Sequence, residues 1–448
     1  QKNNMKCRFA PSPTGLLHLG NARSAVLNWV YSQKNNGKFI LRIDDTDLSR
    51  STKEFENKIK ENLLWLGINW SKTFNQSDRV KNYNLNIKKL KKDGRLYPCF
   101  ETAEELSLKK KSLLSSGKPP IYDRSSLLLT EEEINKKISL GQRPHWRFRL
   151  DERIIQWEDL IKGSVKFDPK HLSDPILIRE DGSLLYHLPS VIDDIEEVIT
   201  HIIRGEDHIS NTAFHIQIFK ALEAQIPQFA HHPFLIDQEG RGFGKRIGSL
   251  SIENLKTEGY EDVTIINYLI NIGSSEDIKP ETSIDNIIED FDIKNISNSS
   301  AKFSETVLKS LNSDVLKNYN FDQVNKKLNL ENKGVDLEKL WIFSKNNIEF
   351  LKDIESWLKI IDTVIQIEKY DIPDSLIKAA IENIPDEPFT YETWDNWTKS
   401  IIKKTGLKGR GLFMPLRLIL TGKDKGPELK NLLPLLDKQT LLRKFGKI

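Results

Sequence analysis

Between positions 10 and 21 the chain reads Ala10-Pro11-Ser12-Pro13-Thr14-Gly15-Leu16-Leu17-His18-Leu19-Gly20-Asn21, and these residue types could hold a nucleotide. A helical pattern begins at Leu19, and the first amides of a helix lack an internal acceptor and bind phosphate. Gly20 would let a purine or ribose approach the backbone closely. His18 can donate to a phosphate oxygen, although at His18 alone an ordinary proline-rich turn and helix cap would look the same. Two arginines, Arg8 and Arg204, stand at the ends of apolar runs. Arginine's planar, permanently charged fork matches a carboxylate. Further on, Gly242-Phe243-Gly244-Lys245-Arg246 offers cations that could stabilise charge developing on a phosphate leaving group. It is not a Walker loop, because Glu239 stands where the first glycine would be needed and Arg246 where Ser or Thr would be.

These residues need elements to hold them. A short strand is expected over 7–10 and a helix over 19–34, with Ala22, Ala25, Val26, Trp29 and Val30 on one face. Asn35-Asn36-Gly37 ends the helix, and 39–43 reads as an apolar strand. That strand–helix–strand opening predicts a parallel sheet, whose ligands sit beyond the carboxyl ends of the strands. A second apolar strand over 199–204, followed by a helix over 211–224, reads as a return to that sheet. Residues 75–185 are less regular, with helices over 101–115 and 130–140 and a strand over 146–150, and are expected to form an inserted α+β domain. From about 252 onward the pattern is almost all helical, with Pro373, Pro385 and Pro388 marking a subdivision.

A length of 448 residues suggests about three domains. The net charge of +3 is small, but from Lys399 onward there are thirteen Lys/Arg and three Asp/Glu, a local +10, which leaves 54 − 61 = −7 for the rest. A basic end on an acidic body suits nucleic acid, and a solvated lysine-rich face would look alike. The two cysteines, Cys7 and Cys99, are too few for a disulfide framework or a four-thiolate zinc site, and they fit a reducing cytoplasm. No apolar run approaches a membrane span, and the polar opening lacks a signal-peptide core. Gln1 is not an initiator and Met5 could be one, so residues 1–4 are assigned no role.

The string from Arg8 to Asn21 resembles the first signature of the class I aminoacyl-tRNA synthetases, with His18-Leu19-Gly20-Asn21 in place of His-Ile-Gly-His. Arg8-Phe9-Ala10-Pro11-Ser12-Pro13-Thr14-Gly15 and Arg42-Ile43-Asp44-Asp45-Thr46-Asp47 are similar to the bacterial glutamyl branch in particular. Ile202-Ile203-Arg204-Gly205-Glu206-Asp207-His208 and Tyr186-His187-Leu188-Pro189-Ser190, followed by Asp193-Asp194, resemble the family's amino-acid and adenosine wall. The likeness runs over nearly the whole chain. It is weaker in the last 150 residues, where Leu412-Phe413-Met414-Pro415-Leu416-Arg417 is the best landmark. Trp341, Trp357, Trp394 and Trp397 could stack on bases, but on helices they are read as core.

The resemblance implies an α/β fold. A Rossmann-like catalytic domain over 5–75 and 186–240 would be split by an acceptor-stem insert at 76–185. A stem-contact helical region would follow at 241–315, and a helical anticodon-binding domain at 316–448. It implies ATP with Mg2+ at Pro11, Thr14, Gly15, His18, Gly20, Asn21, Asp207, Lys245 and Arg246, with His18, Gly20 and Lys245 acting in catalysis. L-glutamate would be held by Arg8, Ala10, Ser12, Asp44, Tyr186, Ser190 and Arg204. Arg8 and Arg204 would face its side-chain carboxylate. Asp44, one methylene shorter than the glutamate common in relatives, would take its ammonium, and Ser190 stands where some relatives have asparagine. Glutamine offers one acceptor oxygen to two cations and would be rejected. The second family signature, a Lys-x-Ser-Lys-Arg loop, is eroded: Gly242 and Gly244 replace its first lysine and its serine. That erosion would also suit a catalytically inactive RNA-binding relative, although the intact first signature opposes it. A glutaminyl enzyme is disfavoured by the Pro-Ser-Pro turn, and the short paralogue that glutamylates a tRNA base by the length. Some glutamyl enzymes hold zinc near the position of Cys99; here no partner cysteine is near it, so no zinc is expected. His231-His232 on an extended segment should point to opposite faces. Expected partners are tRNA-Glu, tRNA-Gln or both, for a monomeric, cytoplasmic enzyme with no membrane association.

Overall fold

The computed structural model describes residues 4–446 apart from 242–249, 275, 329–333, 363 and 365–371. It divides into two compact units: residues 1–256, 265–278 and 283–304, and residues 257–264, 279–282 and 305–448.

The first unit is built on parallel strands. β1 (Lys6–Phe9) leads through a loop to α1 (Leu19–Lys34), and β2 (Lys38–Ile43) returns alongside β1 with Arg8 opposite Ile40. α2 (Lys53–Trp65) connects to β3 (Lys72–Asn75), parallel to β2. Every residue of β2 after Lys38 is buried, as a strand covered on both faces requires. α1 buries the expected Ala22, Ala25, Val26, Trp29 and Val30, and it also buries Arg23 and Asn28. Those polar groups tie the helix down. Asn28 donates to the Ile203 carbonyl and Arg23 to the Pro233 carbonyl, so the helix is fixed to the second half of the sheet.

The chain then leaves the sheet. α3 (Val80–Lys92) leads to β4 (Leu96–Cys99), followed by α4 (Ala103–Ser115) and α5 (Glu131–Ser139), each opened by a Thr–Glu capping box. β5 (His145–Phe148), the hairpin β6 (Ile155–Asp159) and β7 (Gly163–Phe167), and β8 (Ile176–Ile178) follow; β4, β5 and β8 form an antiparallel sheet. This inserted α+β region shares a core with the parallel strands: Tyr83, Leu96 and Phe148 join Ile40, Val191, Ile202 and Phe229.

α6 (His187–Glu196), β9 (His201–Gly205), α7 (Ile209–Ala221) and β10 (Gln228–His232) complete the parallel array, with Arg204 opposite His231. β9 lies beside β1, where the Thr200 amide donates to the Lys6 carbonyl at 3.0 Å and the Lys6 amide to the Thr200 hydroxyl at 2.9 Å. The spatial order is therefore β3-β2-β1-β9-β10, and chain direction across the sheet reverses between β1 and β9. A crevice is expected at such a switch point. A further parallel pair, β11 (Leu235–Ile236) with β12 (Ala301–Lys302), lies partly in a region whose sequence reads as helical. Two residues are too short for a period-two signal.

The second unit is helical among its described residues. Glu305–Asn318, Phe321–Lys327, Leu337–Ser344, Ile354–Asp362, Asp374–Glu382, Tyr391–Thr405, Arg410–Thr421 and Lys438–Lys444 are its main helices. Trp341, Trp357, Trp394 and Trp397 are all buried in it, and Trp397 donates its indole N–H to the Ala380 carbonyl at 3.0 Å. Gly406 ends the helix Tyr391–Thr405 with φ of 70°, a left-handed cap that glycine adopts without strain. No helix among the described residues is long and apolar enough to cross a membrane.

Candidate active site

At the switch point a cleft of about 740 Å³ opens between the loop after β1, the start of α1 and the ends of β9 and β10. Arg8, Ala10, Pro11, Ser12, Thr14, His18, Gly20, Asn21, Asp44, Tyr186, Arg204 and Asp207 all line it. The sequence-expected residues that do not line it are Gly15, which sits in the loop beside it, and Ser190. Lys245 and Arg246 lie outside the described residues, as do Gly242 and Gly244.

The loop holds its shape through its prolines. Pro11 and Pro13 have no amide proton to satisfy, and their carbonyls accept from the amides of Asp44 at 2.9 Å and Thr52 at 3.1 Å. This fixes the loop to the end of β2 and sets Asp44 beside it. At the mouth of α1 the Leu19 amide donates to the Leu250 carbonyl, whereas Gly20 and Asn21 occupy the first turn, where amides have no acceptor inside the helix. A side chain added at Gly20 would meet only the His18 ring, at an ordinary 3.6 Å. Protein packing therefore does not demand a glycine there, and the space it leaves belongs to the cleft. Burial lowers the His18 pKa, so the ring is neutral at pH 7. Asn21 lies 3.1 Å from His18 Nε2; with Asn21 donating to that nitrogen, Nδ1 carries the ring's donor proton.

Behind the cleft runs a buried chain of charge. Arg8 grips Asp194 with two bonds of 2.9 and 3.2 Å. Arg42 donates to the same Asp194 at 3.0 Å, and its other nitrogens fork onto Asp44 at 2.7 and 3.3 Å. The order Arg8–Asp194–Arg42–Asp44 thus joins the two expected ends of the amino-acid site. Helix geometry permits this, because Ser190 and Asp194, four apart on α6, share the face toward the arginines. Ser190 does not contact the cleft as expected; it is fully buried and accepts from Arg42 at 3.1 Å, so it supports Arg42 rather than a ligand. Burial raises the Asp44 pKa, and the Arg42 fork only partly offsets it. For Asp194 the opposite side wins: burial works to raise its pKa, but Arg8 and Arg42 hold it below the ordinary value. Asp193 lies 3.9 Å from Arg42 and accepts from Tyr83 at 2.8 Å and Gln76 at 3.0 Å, and burial pushes its pKa up to about 6.

Arg204 is held differently. It is 5% exposed, and it donates to the Tyr186 hydroxyl at 2.9 Å and the Thr212 hydroxyl at 2.7 Å. Its remaining near neighbour, His215 Nδ1 at 3.4 Å, is neutral, because burial first and Arg204 second keep His215 far below the usual histidine pKa. His187 and His208 are likewise depressed, to about 4 and about 3, by burial and then by Arg204. The hydrogen-bond partners of this buried cation are all neutral, and its Nε has none among the described residues. A buried charge paired only with neutral groups is costly, and an anion entering the cleft relieves that cost. Gly205, next along, lets the Asp207 carboxylate fold close: a Cβ there would lie 2.5 Å from it and push that side chain aside.

The two adjacent histidines do point apart. His232 faces the cleft and meets the Ser24 hydroxyl at 2.6 Å, while His231 is buried against Asp159. Near Cys99 the structure gathers Glu101 and His145, whose ligand atoms with the Cys99 sulfur lie within 4.8 Å of one another. Counting cysteines alone missed this group. Its carboxylate is already engaged, since Glu101 accepts from the hydroxyls of Tyr122, Ser125 and Ser126 at 2.7–2.8 Å. Burial pushes the Cys99 thiol up to about 11, so it is protonated at neutral pH.

The chain is similar to known proteins along nearly its whole length. Residues 4–310 match the catalytic domain of the class I tRNA synthetases (E and Q), and residues 315–447 match an anticodon binding domain. The chain is 45% identical over 439 residues to a glutamate–tRNA ligase of Rickettsia canadensis, covering 98% of each chain. It is 43% identical to one of Hyphomonas neptunium, covering 98% of this chain and 99% of that one. It is also similar to a crystal structure of a glutamate tRNA ligase from Elizabethkingia meningosepticum in complex with its amino acid, with 29% identity, a TM-score of 0.83 and 99% of each chain covered.

Proposed function

We infer the reaction from one premise: the chain belongs to the class I tRNA synthetases of the E and Q family. It is a glutamate–tRNA ligase that activates L-glutamate with ATP and transfers it to the 3′-terminal adenosine of a tRNA. The observation that carries the choice of amino acid is Arg204, a buried cation at the cleft with only neutral hydrogen-bond partners. The glutamate side-chain carboxylate supplies the missing charge, with the unused nitrogen of Arg8 as its second donor. Asp44 accepts the ammonium at the other end of the buried chain.

ATP enters as its magnesium complex, with its phosphates toward the first turn of α1 and His18 and its adenosine toward Asp207. The glutamate α-carboxylate oxygen attacks the α-phosphorus and pyrophosphate leaves. A ribose hydroxyl of the terminal adenosine then attacks the acyl carbon and AMP leaves. His18 and Lys245 act by stabilising charge, and orientation does the rest. The experiment is ATP–pyrophosphate exchange with tRNA present. Exchange that depends on glutamate and ignores glutamine is expected; no exchange with any amino acid would remove the enzyme reading.

For tRNA choice, the reading is loose discrimination. The two anticodons differ at the third base, and base edges are read best by arginine. Residues 340–369 contain no arginine. Arg417 gives one nitrogen to the Pro427 carbonyl at 2.9 Å, leaving Arg410 as the exposed candidate. Glutamylation of both tRNA-Glu and tRNA-Gln is expected. Exclusive charging of tRNA-Glu by more than about a thousandfold in kcat/KM would overturn it.

A further inference from the structure

The side of Arg204 away from the cleft is occupied by three residues that the reaction does not use. Thr212 on α7 accepts from Arg204 at 2.7 Å, and its hydroxyl lies 2.8 Å from His231 Nε2. His231, which neighbours Arg204 across the β9–β10 pair, directs Nδ1 at the Asp159 carboxylate 2.5 Å away. Thr212 and His231 are 0% exposed and Asp159 is 5% exposed.

The proton positions follow from charge. Burial would raise the Asp159 pKa, but the His231 ring and the amides of Lys162 and His231 donate to it and hold it at about 2, so it is ionised. An ionised carboxylate takes the His231 proton at Nδ1, leaving Nε2 as a bare acceptor. The Thr212 hydroxyl has one proton and two acceptors, Nε2 at 2.8 Å and the His208 carbonyl at 3.1 Å. The shorter contact makes Nε2 the acceptor. Each donor then points the same way, from Arg204 to Thr212 to His231 to Asp159, and bonds aligned in one direction polarise one another. A threonine–histidine–aspartate set of this form would suggest a nucleophile, but the Thr212 oxygen is buried under the Arg204 guanidinium and reaches no substrate.

We propose that Thr212, His231 and Asp159 are positioning residues that set the orientation of the Arg204 fork and thereby the enzyme's selection of glutamate. The remote negative charge of Asp159 reaches Arg204 through two neutral side chains, so it orients the guanidinium without neutralising it. A carboxylate bonded directly to Arg204 would compete with the substrate; one placed three bonds away does not. Asp159 also closes the β6–β7 hairpin, accepting from the amides of Ile161 and Lys162 at 3.1 and 2.9 Å. The inserted region therefore reaches the amino-acid site through this residue. The proposal rests on the assignment of Arg204 to the glutamate pocket.

The test is ATP–pyrophosphate exchange by the full-length protein at saturating tRNA. Thr212→Val keeps the shape and removes the hydroxyl; Thr212→Ser restores it. The expected result for Thr212→Val is a glutamate KM raised about 10- to 100-fold with the ATP KM and kcat nearly unchanged, and a narrower glutamate-over-glutamine margin. Thr212→Ser should recover most of the loss. His231→Gln, which keeps an acceptor for Thr212 but breaks the tie to Asp159, should raise the glutamate KM by less, and it serves as the test if Thr212→Val does not fold. An unchanged glutamate KM in a folded Thr212→Val protein, with Arg204→Ala still losing glutamate activation, overturns the relay alone. An unchanged glutamate KM in Arg204→Ala overturns the pocket assignment and the relay with it.

Discussion

The charge clusters that stand out in the two compact units face opposite ways. In the first, Arg8, Arg42, Arg204, Asp44, Asp193 and Asp194 are all buried, and each is fixed by named partners. In the second, Lys399, Lys403, Lys404, Lys408 and Arg410 are all exposed, while Trp341, Trp357, Trp394 and Trp397 are buried. Inward charge in a rigid frame can tell a carboxylate from an amide, because an unmatched group pays the full desolvation penalty. Outward charge on flexible lysines suits a phosphate backbone, which it holds without reading. The expectation that follows is chemical choice in the first unit and grip on the phosphate backbone in the second.

The sharpest way to break that division is Arg204→Ala. It should lower kcat/KM for glutamate by about 10³-fold, because a buried cationic contact is lost. Filter-binding affinity for tRNA should not change, and a parallel loss of tRNA binding would erase the distinction. Lys245→Ala should slow activation by about 10²–10³-fold with tRNA binding intact, the usual cost of removing one transition-state cation. Full activity in that variant would show that Gly242-Phe243-Gly244-Lys245-Arg246 is not the catalytic loop.

A pH series tests the inward charge from another side. The Asp44 pKa is raised by burial, so on acidification Asp44 gains a proton above the pH at which an ordinary aspartate would. The ammonium acceptor is present on the alkaline side and lost as pH falls. The glutamate KM should therefore climb on the acid side. Asp44→Asn should start about 100-fold higher and lose that pH dependence. Persistence of the same profile in Asp44→Asn would assign the titration elsewhere.

Smaller effects belong to the second unit. Lys403→Ala with Lys404→Ala should weaken tRNA binding severalfold and flatten its salt dependence, by about one in slope per lost phosphate contact. The glutamate KM at saturating tRNA should stay put. The smallest expected change is none: pre-treatment with a zinc chelator, with Mg2+ restored for the assay, should leave activity and melting temperature unaltered, and metal analysis should find less than one zinc per chain. A full equivalent of zinc at Cys99, Glu101 and His145 would reverse the reading of that group.

Much of this was legible in the chain. Helix 19–34, the strands on either side of it and the loop between β1 and α1 follow from apolar periodicity and from proline and glycine placement. The cleft collects most of the residues marked by resemblance. Arg42 was quoted within a motif and left without a task, although an arginine inside the apolar run 39–43 is itself a signal: a charge in a doubly covered strand must have a partner. One partner, Asp44, is two residues on, but the other, Asp194, is 152 residues away, and no local pattern reveals it. Ser190 was expected beside the ligand, and the structure bonds its hydroxyl to Arg42. The Thr212–His231–Asp159 relay was invisible for the same reason, since its members come from a helix, a strand and a hairpin end. At Cys99 a count of cysteines passes over Glu101 and His145, which the fold brings beside it from separate segments.

The Arg8–Asp194–Arg42–Asp44 chain also governs how such a site can change over generations. Each member shares an oxygen or a fork with the next, so removing one leaves a buried charge facing an empty place. Contacting residues do not mutate independently, and the cost of the second change depends on the first. Four positions scattered over nearly 190 residues are thereby inherited as one character. Lengthening Asp44 to glutamate, for example, pushes the carboxylate into the Arg42 fork unless Arg42 or Ser190 moves too. The acid at position 44 is thereby tied to its neighbours, and exchanging it alone is the costly step.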